Sequence, residues 1–336
     1  MLPNDIDDPA TPSGGNAYDR RVCRGLAAAG WAVREHAVPG GWPWPTPVER
    51  ACLAGVLATV KDNDLVLIDG LVASAVPEVL VPEAARLRLA VLMHMPLADD
   101  AERAALGAAV AIVTTSEWTR RRLLDLYALP AARITVATPG VDPAAVTVAS
   151  DSGGRLLCVA AITPQKGHDV LVDALARLSD GRWACALIGS LTRDPAFVAR
   201  IEAEIARPGL AGRVRLVGPC TGTDLADAYA VADLMVLASR GETYGMVLTE
   251  ALARAVPVLV TDVGGVREAL GPGEPPGLLV PPEDPAALAG ALRAWLGDAA
   301  LRDRLRRTAA RRRTTLPTWA ETAEQVSAAL AGVTAS

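Results

Sequence analysis

Short apolar runs alternate along this chain with segments whose apolar residues recur at helical spacing. A strand followed by a helix, repeated many times, predicts βα units and parallel sheets. The alternation stops once, over residues 139–154, where Pro, Asp, Ser and Gly accumulate and predict a linker. A length of 336 residues is typical of two domains of about 150 residues each. We therefore expect an α/β protein made of two Rossmann-like domains with parallel sheets facing across a cleft.

The apolar runs and helical segments assign the following elements. In the first half, strands are expected at Trp31–Val38, Leu65–Ile68, Leu89–His94, Val110–Thr114 and Ile134–Thr138, and helices at Asn16–Ala29, Val48–Lys61, Asp99–Gly107 and Glu117–Tyr127. In the second half, strands are expected at Leu156–Ala160, Ala184–Ile188, Val214–Val217, Leu234–Leu237, Val258–Thr261 and Leu278–Val280. Helices are expected there at Val170–Leu178, Pro195–Ala206, Asp224–Val231 and Tyr244–Ala255, with Pro285–Gly332 helical throughout.

These elements predict a domain plan. Residues 1–145 form an N-terminal Rossmann-like domain, residues 154–315 a C-terminal Rossmann-like domain, and residues 316–336 a helix that packs back toward the first domain. The expected first strand is nearly absent, because Met1 and Leu2 alone precede Pro3, which cannot donate to a sheet ladder. We expect that strand to be truncated and a few apolar residues to lie upstream in the native protein.

Composition narrows the function classes. Lys and Arg number 33 and Asp and Glu 38, a net charge of −5, whereas a nucleic-acid binder has a basic surplus. The five cysteines form no Cys-x-x-Cys pair, so we expect neither a disulfide framework nor a zinc site. The first fifteen residues are acidic and Pro-rich, unlike a signal peptide, and no run of 18 apolar residues occurs. We expect a cytoplasmic protein, with peripheral contact at the inner membrane face left open.

Inspection excludes several common motifs. The chain has no G-x-G-x-x-G, no G-x-x-x-x-G-K-[ST], no G-x-S-x-G and no H-E-x-x-H. Asp62-Asn63-Asp64 spells D-x-D but precedes a predicted strand, where a solvated turn is the favoured interpretation. No metal site is expected.

Residues 239–250 carry the sharpest functional signal. They follow a predicted strand and open a helix, whose first amides are a ready seat for phosphate. Glu242 precedes the helix and Glu250 lies on it; carboxylates accept hydrogen bonds from hydroxyl pairs, so both suit a polyhydroxylated ligand. Helix capping for Glu242 and surface exposure for Glu250 are the alternatives.

Three further features follow predicted strands or open helices. Lys166, in the segment 163–169, is one of only two lysines beside 31 arginines, and a lysine after a strand suits phosphate. Gly14 and Gly15 allow close backbone approach to a ligand. His94 ends a predicted strand, where a structural role is equally supported.

Taken together, these residues resemble the family-four retaining glycosyltransferases of the GT-B fold. The resemblance lies in the order Gly-Gly, His, Lys-Gly, Glu–seven residues–Glu, and then the segments 139–142, 262–268 and 277–282. It covers nearly the whole chain, and its specific part is the second half.

The resemblance implies a role for each matching residue. Gly14, Gly15 and Lys166 would contact the donor diphosphate, together with the amides near Gly245 and Met246. His94 and Glu242 would contact the donor sugar, Glu250 the ribose hydroxyls, and Val217 and Gly218 the nucleobase. The reaction would transfer a hexosyl group from a nucleotide diphosphate sugar, with retention, without metal or other cofactor, to a glycan, lipid or small-molecule acceptor.

One position departs from the family pattern. Where the family commonly has Arg five residues before the Lys, this chain has Ala161, so half of the usual cationic clamp is missing; Arg193 or Arg240 are the possible substitutes.

Two rival functions stay open, a non-catalytic nucleotide-sugar binder and a GT-B sugar epimerase. The Trp-containing loop 39–45 would serve the acceptor or be a rigid surface loop. The arginines of residues 302–313 are expected to be solvated rather than to attract anionic lipid.

Overall fold

The computed structural model of the protein describes residues 1–178 and 181–334. The chain divides into two compact units. Unit 1 comprises residues 1–7, 14–140 and 317–336, and unit 2 comprises residues 8–13 and 141–316. Residues 335–336, at the end of the predicted C-terminal segment, lie outside the described residues.

Unit 1 is built on parallel strands. The strands are β1 (Leu2–Pro3), β2 (Ala37–Val38), β3 (Leu65–Asp69), β4 (Arg88–Met93), β5 (Ala111–Thr114) and β6 (Ile134–Val136). Strands β3 to β6 pair in chain order, and β1 pairs with β2. The Met1 nitrogen donates to the Leu67 carbonyl at 2.7 Å, and the Asp69 amide donates to the Met1 carbonyl at 3.1 Å. Met1 thereby joins β1 to β3.

The helices of unit 1 cover this sheet. They are α1 (Gly14–Ala28), α2 (Pro47–Ala58), α3 (Gly70–Ser74), α4 (Pro77–Glu83), α5 (Asp100–Ala108) and α6 (Glu117–Tyr127). Ser116 caps α6, because its hydroxyl accepts from the Thr119 amide at 3.1 Å. Helices α3 and α4 were not predicted.

Unit 2 contains a six-stranded parallel sheet of order β12-β11-β10-β7-β8-β9. Its strands are β7 (Arg155–Val159), β8 (Ala184–Ile188), β9 (Val214–Gly218), β10 (Leu234–Leu237), β11 (Val258–Thr261) and β12 (Gly277–Val280). Its helices are α7 (His168–Ala176), α8 (Pro195–Ile205), α9 (Gly222–Ala230), α10 (Met246–Leu252), α11 (Val266–Leu270), α12 (Pro285–Gly297) and α13 (Ala299–Arg313). The buried strands read as continuous apolar runs, which is why their positions match prediction closely.

A last helix, α14 (Trp319–Thr334), returns to unit 1. It packs along α1, and its residues Val326 and Leu330 are buried. Among the helices of residues 1–178 and 181–334, none has the length and apolarity that crossing a bilayer requires.

Several predicted elements were wrong in extent. The predicted strand Trp31–Val38 shrinks to β2, because its partner β1 offers two residues for pairing. The predicted helix Tyr244–Ala255 begins at Met246, since Gly245 has a φ of 92°. The continuous C-terminal helix is three helices, because the Asp298 carboxylate accepts from the Leu301 amide at 3.0 Å and starts α13.

The predicted linker is not free chain. Residues 141–154 belong to unit 2 and have no regular secondary structure. The Asp233 carboxylate accepts from the Ser150 amide at 2.6 Å and from the Ser150 hydroxyl at 2.5 Å, and the Thr147 amide donates to the Arg254 carbonyl. These bonds fix the segment to unit 2.

Candidate functional site

The strand order of unit 2 reverses at β7. The chain runs from β7 to β8 and β9 on one side and returns to β10, β11 and β12 on the other. In open α/β sheets, ligands bind beyond the carboxyl ends of the strands at such a reversal. Lys166 follows β7 and Glu242 follows β10, so both predicted residues lie at that point.

Lys166 and Glu242 form an ion pair there. The Lys166 Nζ lies 2.6 Å from the Glu242 Oε1, and the Ser239 hydroxyl donates to the same oxygen at 2.7 Å. The Lys166 side chain is 31% exposed and the Glu242 side chain 9% exposed. A positive group thus reaches solvent, while a nearly buried carboxylate holds it in place.

Two glycines permit this pairing. Gly167 has a φ of 65°, and a Cβ there would lie 1.9 Å from the Ala238 carbonyl oxygen. Gly264 has a φ of 56°, and a Cβ there would lie 1.8 Å from the Glu242 carbonyl oxygen. The loops of Lys166 and Glu242 therefore approach their neighbours more closely than any side chain allows.

Arg240 braces the Lys166 loop. Its guanidinium binds the Asp169 carboxylate in bidentate fashion, at 3.0 and 3.1 Å, and also donates to Glu283 and to the Pro164 carbonyl. Its amide donates to the Gln165 carbonyl at 2.9 Å. This arginine is occupied by the protein itself, so it is a poor substitute for a missing diphosphate ligand.

Glu250 lies on α10 and is half-buried. The Tyr229 hydroxyl donates to its Oε2 at 3.0 Å, and the Arg254 guanidinium lies 4.7 Å from the centroid of the Tyr229 ring. Burial raises the pKa of Glu250, against the opposing effects of Tyr229 and Arg254. The carboxylate is therefore held in one orientation from α9.

The remaining predicted residues of unit 2 lie at the end of β9 and at the start of α10. Gly245 precedes α10, which Met246 opens. Gly218 ends β9 with a φ of 91°, and its carbonyl accepts from the Gly189 amide at 2.9 Å. Val217 is 48% exposed, whereas Gly218 and Gly245 are buried.

Ala161, which stands where the family has Arg, follows β7 and is half-buried. A Cβ on Gly189 would lie 2.8 Å from the Ala161 nitrogen, so the backbone of the β8 loop packs tightly against it. Arg193 donates to the Thr11 carbonyl at 3.2 Å, in the short piece 8–13 of unit 2. Neither Arg193 nor Arg240 is thus without a protein partner.

In unit 1, His94 follows β4 and lies among carboxylates. Its Nε2 is 2.7 Å from the Asp19 Oδ1 and 3.5 Å from the Asp69 Oδ2. Burial opposes the charged imidazole, but the two carboxylates together raise the pKa of His94 to about 9. The imidazole is therefore positively charged at neutral pH.

Gly14 and Gly15 open α1 beside this histidine. A Cβ on Gly15 would lie 3.3 Å from the His94 Cδ2, so the helix start packs directly against the ring. Tyr18 contacts the same ring edge-on, with centroids 5.3 Å apart.

Asp19 and Asp69 were missed from the sequence. Asp69 ends β3 and caps α3, accepting from the amides of Leu71 and Val72, and its place directly after a strand was a usable signal. Asp19 lies on the buried face of α1, where no local pattern marks it.

The arginine-rich helix α13 is largely engaged with backbone. Four of its arginines donate to carbonyl groups, as Arg302 to Trp295, Arg306 to Ser150, Arg312 to Ala269 and Arg313 to Ala253. These guanidiniums close loop and helix ends rather than being simply solvated. Elsewhere, Asp62-Asn63-Asp64 forms the expected turn.

Solved structures share this fold along nearly the whole chain. Sucrose-phosphate synthase from Thermosynechococcus elongatus has a TM-score of 0.80 at 23% identity, over 98% of this chain and 97% of that one. Anabaena HepE, solved with UDP-glucose, has a TM-score of 0.77 at 19% identity, over 96% and 97%. The parallel sheets of the two units and these neighbours define the class, a GT-B α/β protein.

The sequence comparison finds one family model. Residues 146–312 match the model of the glycosyl transferases group 1 family. The matched residues include Lys166, Glu242 and Glu250.

The chain also matches curated proteins that are named as glycosyltransferases. A D-inositol 3-phosphate glycosyltransferase of Jonesia denitrificans is 36% identical over 233 residues, 63% of this chain and 54% of its own length. That of Kineococcus radiotolerans is 34% identical over 240 residues, 63% and 54%. The chain thus spans about half the length of the curated relatives it matches.

Proposed function

We propose that this protein is a retaining glycosyltransferase that moves a sugar from a nucleotide diphosphate sugar to an acceptor hydroxyl. The observation that carries the proposal is the ion pair of Lys166 and Glu242 at the reversal of the unit 2 sheet, 2.6 Å long. An ammonium group and a carboxylate held side by side suit the two parts of such a donor, its diphosphate and its sugar hydroxyls.

Each site residue has a proposed role. Lys166 takes the charge of the leaving diphosphate, and Glu242 binds hydroxyls of the transferred sugar. Glu250, held by Tyr229, binds the ribose hydroxyls, and Gly218 lies at the nucleobase. The backbone of Gly245 and Met246 contributes to the diphosphate site. From the resemblance alone, Gly14 and Gly15 are proposed to contact the diphosphate and His94 the donor sugar.

The donor class has support from the comparisons. HepE was solved with UDP-glucose, and the curated relatives are named as glycosyltransferases. We propose a nucleoside diphosphate hexose as the donor. The acceptor is proposed to bind unit 1, where Trp44 of the loop 39–45 is 84% exposed and offers an aromatic face.

The proposed reaction needs no metal. The leaving diphosphate gains negative charge, and Lys166 offers a fixed positive group to stabilise it. Glu242 shares its carboxylate oxygen with Lys166 and Ser239, which leaves its second oxygen for a sugar hydroxyl. Retention of the anomeric configuration is proposed from the resemblance to the family-four retaining glycosyltransferases.

A binding and product experiment tests the function. The protein is screened by thermal shift against UDP, GDP and ADP, since a ligand that binds the folded state alone raises the melting temperature. The selected nucleotide's hexose donors are then incubated with the protein, and the anomer released is identified by NMR. We expect one base to stabilise the fold and slow donor hydrolysis to follow.

The outcomes separate the rivals. Binding without any hydrolysis or transfer would indicate a non-catalytic binder, with Ala161 as the physical reason. An epimerised sugar released without acceptor would indicate an epimerase. Lack of stabilisation by all three nucleotides would refute the proposed donor class.

A further inference from the structure

The cluster around His94 contains more charge than the proposed chemistry uses. Asp19 is 1% exposed and Asp69 4% exposed, although a buried carboxylate requires a partner to offset its lost hydration. Both face the same nitrogen, the His94 Nε2, from different elements, α1 and the end of β3. Such an arrangement fixes the ring from two directions.

The other ring nitrogen is left for a ligand. In the described part of the chain the His94 Nδ1 makes no hydrogen bond, and the side chain keeps 15% of its surface exposed. Gly15 packs near the Cδ2 of the ring, and the Tyr18 ring contacts it edge-on. The protein thus fixes the imidazole through its Nε2, while the Nδ1 has no hydrogen-bond partner among the described residues.

We propose that Asp19 and Asp69 are positioning residues, which hold His94 so that its Nδ1–H donates to an oxygen of the bound ligand. This inference rests on the proposed function for the identity of that ligand, a sugar donor, but not for the geometry. A group fixed in this way can donate a hydrogen bond with little loss of side-chain entropy.

The protonation states agree with such a role. The carboxylates keep the imidazole protonated, so both ring nitrogens carry hydrogens. Burial and the nearby Asp19 raise the pKa of Asp69, against the effect of His94. The other ionisable groups facing the cluster are the Met1 amino group and Cys23, which interact with Asp19, and the Tyr18 hydroxyl, which donates to the Ala137 carbonyl.

A histidine titration tests the inference without any substrate. The chain has three histidines, so protein labelled with ¹³C at histidine Cε1 gives three signals, which substitution of each histidine assigns. In the wild type we expect the His94 signal to titrate near pH 9. In Asp19→Asn the midpoint should fall by one unit or more, a tenfold change in proton affinity, and in Asp69→Asn by less, because Asp69 is the more distant carboxylate.

Asp233→Asn is the matched control, since Asp233 is a buried carboxylate of unit 2 and should leave His94 unchanged. A wild-type midpoint at the ordinary 6.5, or equal midpoints in wild type and both variants, would overturn the inference. If Asp19→Asn does not fold, the wild type and Asp69→Asn still decide.

Two further measurements separate the positioning role from its rivals. The ligand atoms of Asp19, Asp69 and His94 lie within 4.8 Å of one another, so Zn²⁺ and Mn²⁺ are added to the labelled protein; stoichiometric perturbation of the His94 signal would mean a metal site and refute the proposal. In the wild type, turnover should fall as the pH rises through about 9, where His94 loses its proton. In Asp19→Asn this fall should occur at a lower pH. Absence of turnover with every donor would refute the proposed function and leave the titration result standing.

Discussion

The two units carry their polar residues in contrasting ways. In unit 2, Lys166 and Glu242 lie on loops after strands, and the ammonium group keeps 31% of its side chain exposed. In unit 1, Asp19 and Asp69 are buried, and His94, whose side chain is 15% exposed, packs beside Gly15 and Tyr18. Loop residues can change with little effect on folding, whereas the core cluster belongs to the fold. Function and stability are therefore separable in unit 2 and coupled in unit 1.

The largest expected effect tests the separability in unit 2. Lys166→Ala and Glu242→Ala should each lower turnover by roughly 100-fold or more, the scale of one electrostatic contact to a developing charge. Melting temperatures should stay close to that of the wild type, because both residues lie on loops. Steady-state kinetics and calorimetric melting check the two halves of this expectation.

Lys61→Ala and Glu202→Ala are matched controls at exposed positions and should leave turnover unchanged. Turnover within a few-fold of wild type in both site variants would contradict the assignment. A large decrease in melting temperature would instead show that the ion pair stabilises the fold. Function and stability would then be coupled in unit 2 as they are in unit 1.

The second prediction sharpens the comparison by adding charge to unit 2. Ala161→Arg should tighten binding of the nucleoside diphosphate selected by the screen by about 1–3 kcal/mol, as for a hydrogen bond to a charged group. Titration calorimetry measures the change, and Ala161→Gln separates charge from side-chain length. An unchanged affinity would mean that position 161 faces away from the diphosphate or that another cation already serves it.

The third prediction contrasts a buried histidine of unit 2 with the half-buried His94 of unit 1. His168 lies in unit 2 beside Cys158, with 3.7 Å between its Nε2 and the Sγ, and burial together with Lys166 lowers its pKa to about 4. In the unfolded chain His168 binds a proton at about pH 6.5, whereas in the folded chain it stays neutral down to about pH 4. The free energy of unfolding therefore falls as the pH drops from about 6.5 to 4. Denaturant unfolding should show a loss of roughly 2 kcal/mol between pH 6.5 and 5.

His168→Leu should flatten that part of the pH dependence, whereas the control His36→Gln should keep it. An unchanged slope in His168→Leu would show that carboxylates alone cause the acid loss. His94 should act in the opposite direction, with its contribution lost as the pH rises from about 6.5 toward 9.

The smallest expected effect is none at all. Turnover in a chelator should equal turnover in added Mg²⁺, because in the proposed reaction Lys166 supplies the positive charge that stabilises the leaving diphosphate. Matched assays in EDTA and in Mg²⁺ measure the ratio. Complete loss in the chelator that Mg²⁺ restores would overturn the metal-independent mechanism.

The sequence predicts unit 2 better than unit 1 for a physical reason. A strand buried on both faces is a continuous apolar run, and Ala184–Ile188, Leu234–Leu237 and Val258–Thr261 lie as predicted. The short helices α3 and α4 follow β3 and are as apolar as a buried strand. In runs this short, periodicity cannot distinguish a helix from a strand. β2 depends on a partner elsewhere in the chain.

The site shows the same limit. Lys166 and Glu242 follow predicted strands, so their meeting could be anticipated from the topology of a parallel sheet. Asp19 could not, because its partner His94 lies 75 residues away in the chain and a helix residue among apolar neighbours carries no local mark. The guanidinium contacts of α13 likewise depend on carbonyl groups that tertiary packing brings near.

The course of the chain has a consequence for biosynthesis. Unit 1 receives α14 only after residues 141–316 have been made, and domains fold as units while translation proceeds. Until then α1 lacks its contact with α14. That contact is close, because a Cβ on Gly25 of α1 would lie 2.4 Å from the Cβ of Ala323 on α14. On the ribosome, unit 2 can therefore reach its native state first. Until α14 is made, the apolar face of α1 stays exposed and can bind chaperones.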